Sequence, residues 1–212
     1  IATNSRLCMS SAVAGYKPTL GADAPPACYD DIDHAGCLFL AGSNAAWAHP
    51  ILFRRIEAAR ARKPQQRMIV VDPRRTATAA MADLHLAIEP GTDVALFHGM
   101  LHHLLWDDTI DRTFIRDHTT GFEALKAVVR EMTPRIAAEI CCQGLNQSTA
   151  GTAKNAALIN LHLATGQIGA PGMGPFSLTG QPNAMGGREV GGLANLLPAH
   201  RDLDNPAHRA EV

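Results

Sequence analysis

Three short apolar runs, each ending in a polar turn, set the pattern of the first half of the chain. They read GCLFLAGSN from Gly36, RMIVVDPRRT from Arg67 and LHLAIEPGTD from Leu84. A continuous apolar run of this length is typical of a buried strand, and the polar residues after it indicate a tight turn. Because helical or small-residue segments alternate with the runs, the sequence predicts an α/β fold with a parallel sheet.

Helical periodicity accounts for the segments between and after these runs. Leu52, Ile56 and Ala59 fall on one face of a helix. Pro50 suits the first turn of that helix, and Pro64 follows its basic C-terminal end. The other predicted helices are one from Val94 to Leu105, a surface helix over 122–140, and one that carries Leu158, Leu161 and Leu163.

Composition and charge exclude several classes of function. The 212 residues are 46% apolar and 18% charged, the balance of a globular protein with a sizeable core. A net charge of −1 and a pI of about 6.9 provide no basic field to recruit nucleic acid or an anionic membrane. No apolar run reaches transmembrane length. The five cysteines include no C-x-x-C pair, so we expect a reducing compartment and a cytoplasmic protein.

The polar turns after the three runs offer groups suited to a nucleotide. In an open parallel sheet the ligand lies beyond the carboxyl ends of the strands, where turns and helix N-termini present backbone donors. Glycine permits close backbone approach, arginine grips phosphate with two parallel donors, and carboxylates accept from ribose or a base. The candidates are Gly42, Ser43 and Asn44, then Asp72, Arg74 and Arg75, then Gly91, Thr92 and Asp93. Alternatively these turns only cap the strands. A site of the NAD type is disfavoured, because the first turn has one glycine where G-x-G-x-x-G would be expected.

Two later segments carry further polar candidates. Residues 166–192 contain 9 of the 18 glycines among apolar side chains, which predicts an ordered loop wrapped round a large ligand. Arg188 is the only cation in that loop, with Glu189 beside it, so it serves the ligand or forms a surface pair. Upstream, Gln143 and Gln147 suit the edge of a heterocycle, or are turn and cap residues.

His98 and His102 are four residues apart, a spacing that could chelate zinc. The sequence lacks the glutamate of H-E-x-x-H and an evident third ligand. A partly exposed face of the helix predicted from Val94 to Leu105 is therefore the prediction for both.

Five ordered segments of the chain together match a known pattern. They are NSRLCMSSAVAGYKPTLGADAPPACYDDID, AGSNAAWAHPILFRRI, VDPRRTATA, QGLNQSTAGTAKNAALINLHLATGQIG and GPFSLTGQPNAMGGREVGG. In this order they resemble the molybdopterin oxidoreductase family, most of all its assimilatory nitrate-reducing members and next its periplasmic ones. The resemblance covers nearly the whole chain. It implies a nucleotide-binding-like core with a parallel sheet, followed by a glycine-rich C-terminal segment that wraps the cofactor.

The resemblance implies a reaction and a cofactor. The reaction is reduction of nitrate to nitrite by oxygen-atom transfer at molybdenum bis(molybdopterin guanine dinucleotide). A 4Fe-4S cluster is implied for the full-length parent, with no ligands for it in this chain. Nitrate and an electron-donor protein or subunit are the implied partners, without nucleic acid. In formate dehydrogenases of the family a histidine follows the metal ligand, whereas Met9 stands there in this chain, which favours nitrate.

The resemblance also assigns residues to roles. Cys8 would be the thiolate ligand of molybdenum, since two pterin dithiolenes supply the other sulfur ligands and a soft thiolate suits the metal. Arg188 would orient the nitrate anion, or alternatively bind the cofactor. The implied cofactor-binding residues are Asn4 at the metal end, the turns at 41–48, 71–75 and 91–93 on the guanine dinucleotide arms, and Gln143, Gln147 and Met185.

The same resemblance predicts how the chain is organised. It is read as an incomplete catalytic domain over 1–212, with an α/β subdomain over 33–140 and metal-end and cofactor-wrapping segments over 1–32 and 141–212. We expect a piece of a longer protein, because the family has an iron–sulfur segment before this region and another domain after it. At Cys141 and Cys142 the sequence skips a helix and a strand that the family has. The alternatives are a formate dehydrogenase or other oxidoreductase of the family, and an inactive cofactor-binding fragment.

Overall fold

A computed structural model describes residues 10–23, 26–140, 150–178, 196–197, 199, 201–202 and 204–211. The strands are β1 (Cys37–Ala41), β2 (Arg67–Val71), β3 (Leu84–Leu86), β4 (Leu196–Leu197) and β5 (Arg201–Asp202). The helices are α1 (Ser10–Leu20), α2 (Asp31–His34), α3 (Ala45–Ala48), α4 (Pro50–Arg62), α5 (Ala77–Ala80), α6 (Asp93–Trp106), α7 (Arg112–His118), α8 (Phe122–Val129), α9 (Pro134–Glu139), α10 (Gly151–Ala164) and α11 (Pro206–Ala210). None of the helices in these ranges has the length and apolar content that crossing a bilayer requires.

The three predicted strands form one parallel sheet in the order β1-β2-β3. In register, Ala41 lies opposite Val71, and Val71 opposite Leu86, so the three carboxyl ends meet at one edge. This confirms the predicted parallel α/β arrangement. β3 is shorter than its apolar run, because the chain leaves the ladder after Leu86 and Ile88 packs against Val71 instead.

Helices cover both faces of this sheet. On one face Phe53, Ile56 and Ala59 of α4 pack against Met68 and Val70 of β2. On the other face α6, α8 and α10 form a second cluster, whose buried members are Phe97, Leu101, Leu105, Val129, Ala157, Leu161 and Ala164. Strand β1 alternates between the two, since Leu38 and Leu40 join the first cluster while Phe39 and Ala41 join the second.

The ends of α4 are marked by the residues that the sequence analysis used. Pro50 is the first residue of the helix, where the lack of an N–H costs nothing, and Arg60 and Arg62 lie in its last turn. The buried face differs in one position. Phe53 is buried with Ile56 and Ala59, whereas Leu52 is only partly buried.

The prediction of a single surface helix over 122–140 was wrong. The segment forms two helices, α8 and α9, with a turn between them. Thr133 breaks the run, because its side chain accepts a hydrogen bond from the N–H of Ile136 at 3.3 Å and caps α9. Pro134 then occupies the first position of α9, where proline is favoured.

Helix α1 packs closely against α10. A Cβ atom added to Gly15 would lie 2.7 Å from the Cβ of Asn155, so only glycine allows this approach. Ala12 and Tyr16 of α1 form a buried cluster with Ile159 of α10. The chain segment that follows Cys8 is thereby fixed on the helix that follows residues 141–149.

Candidate functional site: the carboxyl edge of the sheet

The carboxyl ends of the three parallel strands are joined by backbone hydrogen bonds. The N–H of Gly42, directly after β1, donates to the carbonyl of Val71 at 2.9 Å. The N–H of Asp72, directly after β2, donates to the carbonyl of Leu86 at 3.3 Å. The turns after β1 and β2 therefore begin at the same edge, as predicted from the parallel order.

The first turn combines a left-handed glycine with an engaged amide side chain. Gly42 has a φ of 62°, a conformation that glycine adopts without strain. The carboxamide oxygen of Asn44 accepts from the hydroxyl of Thr78 at 3.0 Å, and that hydroxyl accepts from the N–H of Ala46 at 2.9 Å. Asn44 therefore fixes α3 to α5, while Ser43 remains partly accessible.

The second turn places two cations in solvent beside a buried carboxylate. Asp72 is 5% exposed, and its Oδ1 accepts from the N–H of Arg74 at 2.8 Å. This local bond is an Asx-type turn, which fixes the direction of the chain after β2. Arg74 and Arg75 are exposed, with 73% of the Arg74 side chain accessible. Both guanidinium groups are therefore available to an anion at this edge.

The third turn is held by residues distant in sequence. Gly91 has a φ of 124°, in the region that favours glycine. The hydroxyl of Thr92 donates to the carbonyl of Ile140 at 2.9 Å instead of capping α6. Asp93, the first residue of α6, is 1% exposed and forms an ion pair with Lys154 of α10.

Lys154 is a residue that the sequence analysis missed. It is 1% exposed although lysine is almost never fully buried without a partner. Its position in the helical pattern is the sequence signal that could have identified it as buried. Lys154 lies on the same face of α10 as Ala157 and Leu161, both of which are buried in the core. An ammonium group on a buried face requires a buried carboxylate, and Asp93 is that carboxylate.

The chain anchors the start of the glycine-rich segment on α2. Asp31 accepts hydrogen bonds from the N–H groups of Cys28 and Gly172, each at 2.7 Å. These two bonds hold the pKa of Asp31 below its usual value. Gly172 has a φ of 80°, and a Cβ there would lie 2.7 Å from the backbone of His34 and Ala35. Tyr29 and Phe176 add an edge-to-face ring contact at 5.4 Å.

Two histidines singled out by their spacing lie on α6. His102 is partly buried, its Nδ1 lies 3.0 Å from the carbonyl oxygen of Val129, and its ring stacks on Trp106 at 4.2 Å. Burial lowers the pKa of His98. These contacts account for His102 as a packing residue of the helix face.

Several predicted site residues lie outside the part of the chain that the structure describes. They are Asn4, Cys8, Gln143, Gln147, Met185 and Arg188. The described candidates, from Gly42 to Asp93, share the carboxyl edge of the sheet or the turn that opens α6. The two exposed arginines, the left-handed glycine turn and the two carboxylates fit the phosphates and hydrogen-bond donors of a nucleotide arm.

Comparison with known proteins identifies the family. The profile of the molybdopterin oxidoreductase family matches residues 1–210. The chain belongs to the molybdopterin oxidoreductase family. A nitrate reductase of Synechocystis sp. is 50% identical over 99% of this chain and 33% of its own length. The F420-dependent formate dehydrogenase subunit alpha of Methanocaldococcus jannaschii is 35% identical over 95% of this chain and 33% of its own.

A solved structure shows the same fold. Acetylene hydratase from Pelobacter acetylenicus superposes with a TM-score of 0.57 and 31% identity, over 73% of this chain and 20% of that one. The chain thus spans about a third or less of each of these proteins. The Synechocystis alignment covers 234 residues whereas the chain has 212, so that relative has at least 22 internal positions that this chain lacks.

Proposed function

We propose that the longer protein to which this chain belongs reduces nitrate to nitrite at a molybdenum bis(molybdopterin guanine dinucleotide) centre. The observation that carries the proposal is 50% identity to a nitrate reductase over 99% of the chain. When bound, the reduced molybdenum centre would take up an oxygen atom from nitrate and give up two electrons, chemistry that protein side chains lack. The chain's own residues bind this cofactor and orient the anion.

The described turns would hold the nucleotide arms of the cofactor. Arg74 and Arg75 are exposed at the carboxyl edge and offer planar, bidentate donors to phosphate oxygens. The left-handed Gly42 turn lets backbone approach the same groups closely. Asp72 and Asp93 would accept from ribose hydroxyls or from the base. These roles agree with the position of ligands in other parallel sheets, beyond the carboxyl ends of the strands.

The metal end of the site would come from residues outside the described ranges. Cys8 would ligate molybdenum, and Asn4, Gln143, Gln147 and Met185 would contact the pterins. Arg188 would orient nitrate, because a guanidinium offers two parallel donors to a small planar anion. Segments 1–32 and 141–212 would thus complete an α/β subdomain over 33–140. The hydrogen bond from the N–H of Gly172 to Asp31 is a described contact between these two segments.

We place the longer protein in the cytoplasm, with a 4Fe-4S cluster and an electron-donor protein or subunit that delivers electrons to the centre. The five cysteines of this chain include no C-x-x-C pair, so the cluster ligands would come from other parts of that protein. Formate dehydrogenation is the second candidate, because a formate dehydrogenase subunit is 35% identical to the chain. The lower identity and Met9 after Cys8 favour nitrate.

The two candidates are separated by paired assays on the full-length parent. Purified protein would be analysed for molybdenum and for guanosine monophosphate released by acid, and then supplied with dithionite and nitrate or with formate and an electron acceptor. We expect nitrite formation per bound molybdenum to exceed formate oxidation by a wide margin. Formate oxidation without nitrite formation would transfer the assignment to the second candidate. A protein with cofactor and neither activity would be the inactive alternative.

A further inference from the structure

The ion pair between Asp93 and Lys154 is the most deeply buried pair of opposite charges that the structure describes. Each residue is 1% exposed, and Nζ of Lys154 contacts Oδ2 of Asp93. Removing either charge from water is unfavourable unless the partner compensates it, so each side chain requires the other.

The pair joins the first turns of two helices. Asp93 is the first residue of α6 and follows the Gly91-Thr92 turn directly, whereas Lys154 is the fourth residue of α10. The helices already share an apolar contact, in which Phe97 of α6 belongs to the same cluster as Ala157 of α10. The apolar contact holds the helices together without fixing their rotation or sliding. A buried ion pair near both N-termini fixes that register, because its geometry is specific.

The turn before α6 has little support of its own. The side chain of the N-cap residue Thr92 does not cap α6, because its hydroxyl donates to the carbonyl of Ile140. Gly91, with a φ of 124°, adds conformational freedom. Within the described residues, Ile140 and Lys154 hold residues 91–93 from distant parts of the chain.

We propose that Lys154 is a positioning residue for the nucleotide arm of the cofactor. By pairing with Oδ2 of Asp93 it fixes the 91–93 turn, whose residues would contact the ligand. This inference rests on the proposed cofactor site at the sheet edge, and it adds a residue that does not itself touch the ligand. It also predicts that the start of α10, directly after residues 141–149, is held in register with that turn.

The first test compares Lys154→Met with Lys154→Arg in the full-length parent. Hydrogen exchange of residues 89–96 in cofactor-free protein reports the turn directly, and bound molybdenum and guanosine monophosphate per folded molecule report the cofactor. We expect Lys154→Met to speed exchange there and to lower cofactor content about tenfold, as losses of orienting contacts commonly do. Lys154→Arg should restore much of both. Arg112→Met, which removes the exposed Arg112–Asp108 pair, is the matched control and should change neither.

A double-variant cycle separates positioning from direct contact. If Lys154 acts through Asp93, cofactor content in Lys154→Met/Asp93→Asn should equal that in Asp93→Asn alone. A further loss in the double variant would mean that Lys154 touches the cofactor, and would overturn the proposal. Unchanged exchange at 89–96 together with full cofactor content in Lys154→Met would also overturn it, since the pair would then only stabilise the fold.

Two further outcomes are covered by the same experiments: a Lys154→Met variant that does not fold, and a wild-type parent that binds no cofactor. If Lys154→Met does not fold, exchange of residues 89–96 and cofactor content are compared between wild type and Lys154→Met/Asp93→Asn, which contains neither buried charge; faster exchange with lower cofactor content supports the proposal, and wild-type values for both overturn it. If the wild-type parent binds neither molybdenum nor guanine nucleotide, the proposed function fails. In that case faster exchange of residues 89–96 in Lys154→Met, restored towards the wild-type rate in Lys154→Arg, would still support Lys154 as the residue that positions the turn, and wild-type exchange in Lys154→Met would overturn it.

Discussion

Some side chains at the carboxyl edge of the sheet are bonded to other residues of the chain, and others are exposed to solvent. Asn44 accepts a hydrogen bond from the hydroxyl of Thr78, and Asp93 forms an ion pair with Lys154. Arg74 and Arg75 extend into solvent. Any anion at this edge would therefore be met mainly by these two guanidinium groups, and the engaged side chains would set the shape of the turns around it.

Replacement of Arg74 or Arg75 by Gln should lower the retention of the cofactor in the full-length parent. A charge-assisted hydrogen bond contributes about 1.5 to 3 kcal/mol, which corresponds to roughly tenfold or more in affinity. The measurement is guanosine monophosphate and molybdenum per folded protein after extended dialysis. Arg67→Gln is the control, because Arg67 is equally exposed, at 71% of its side chain, but lies at the opposite end of β2. Equal losses in Arg67→Gln would attribute the effect to net charge.

The sequence predicted local contacts at this edge better than distant ones. The turn after β2 could be predicted, because Asp72 and Arg74 are two residues apart and form an Asx-type turn by themselves. The bonds from Asn44 to Thr78 and from Asp93 to Lys154 could not be, because they depend on how whole helices pack. The roles of these residues toward a cofactor stay predictions.

Among the secondary-structure elements, those with marked ends were predicted most closely. Proline and basic residues delimited α4, and apolar runs located all three strands of the parallel sheet. The 122–140 segment was predicted as one helix because apolar spacing continues through it. A capping threonine at 133 outweighed that spacing, since a satisfied N-cap at a proline start favours a new helix.

Gly99→Ala should destabilise the protein although alanine favours helices. Gly99 lies in α6 against α9, and an added Cβ would lie 2.4 Å from the Cβ of Ala137. The overlap should cost about 1 to 3 kcal/mol, more than the gain of roughly 1 kcal/mol in helix propensity. Thermal unfolding of the parent measures the change.

Two further variants serve as controls. Gly36→Ala, where nothing lies within 4 Å of an added Cβ, should be neutral or slightly stabilising, and Ala137→Gly should rescue Gly99→Ala. A midpoint for Gly99→Ala as high as that of Gly36→Ala would show that α9 can move away at no cost.

On the scale of the whole molecule, distant segments of the chain are joined by a few polar contacts. Asp31 binds the N–H groups of Cys28 and Gly172, which connects the region before β1 to the start of the glycine-rich segment. Lys154 and Asp93 join α10 to α6 in the same way. The pairings of Asp31 with Gly172 and of Lys154 with Asp93 could not be predicted from periodicity, because each links residues far apart in sequence.

The Asp31 contact should contribute stability with a specific dependence on pH. The two N–H donors lower the pKa of folded Asp31 below the usual value of 3.8, so the folded state favours the carboxylate. This contribution is present above the unfolded pKa and is lost as the pH falls through the lower, folded value. Asp31→Asn should therefore lower the unfolding midpoint at neutral pH, and the difference from wild type should shrink below about pH 4. A difference that stays constant into acid would show that the carboxylate charge is not what matters.

Cys8 is the residue through which we propose that this chain holds a molybdenum centre. The most direct measurement is nitrite formation by the full-length parent and its Cys8→Ser variant under dithionite, alongside bound molybdenum and the unfolding midpoint, with Cys37→Ser, an exposed cysteine, as control. A serine hydroxyl is a poor replacement for a soft thiolate ligand. We predict that Cys8→Ser abolishes nitrate reduction while the fold is largely kept, and that Cys37→Ser is unaffected. Wild-type turnover in Cys8→Ser would contradict the account.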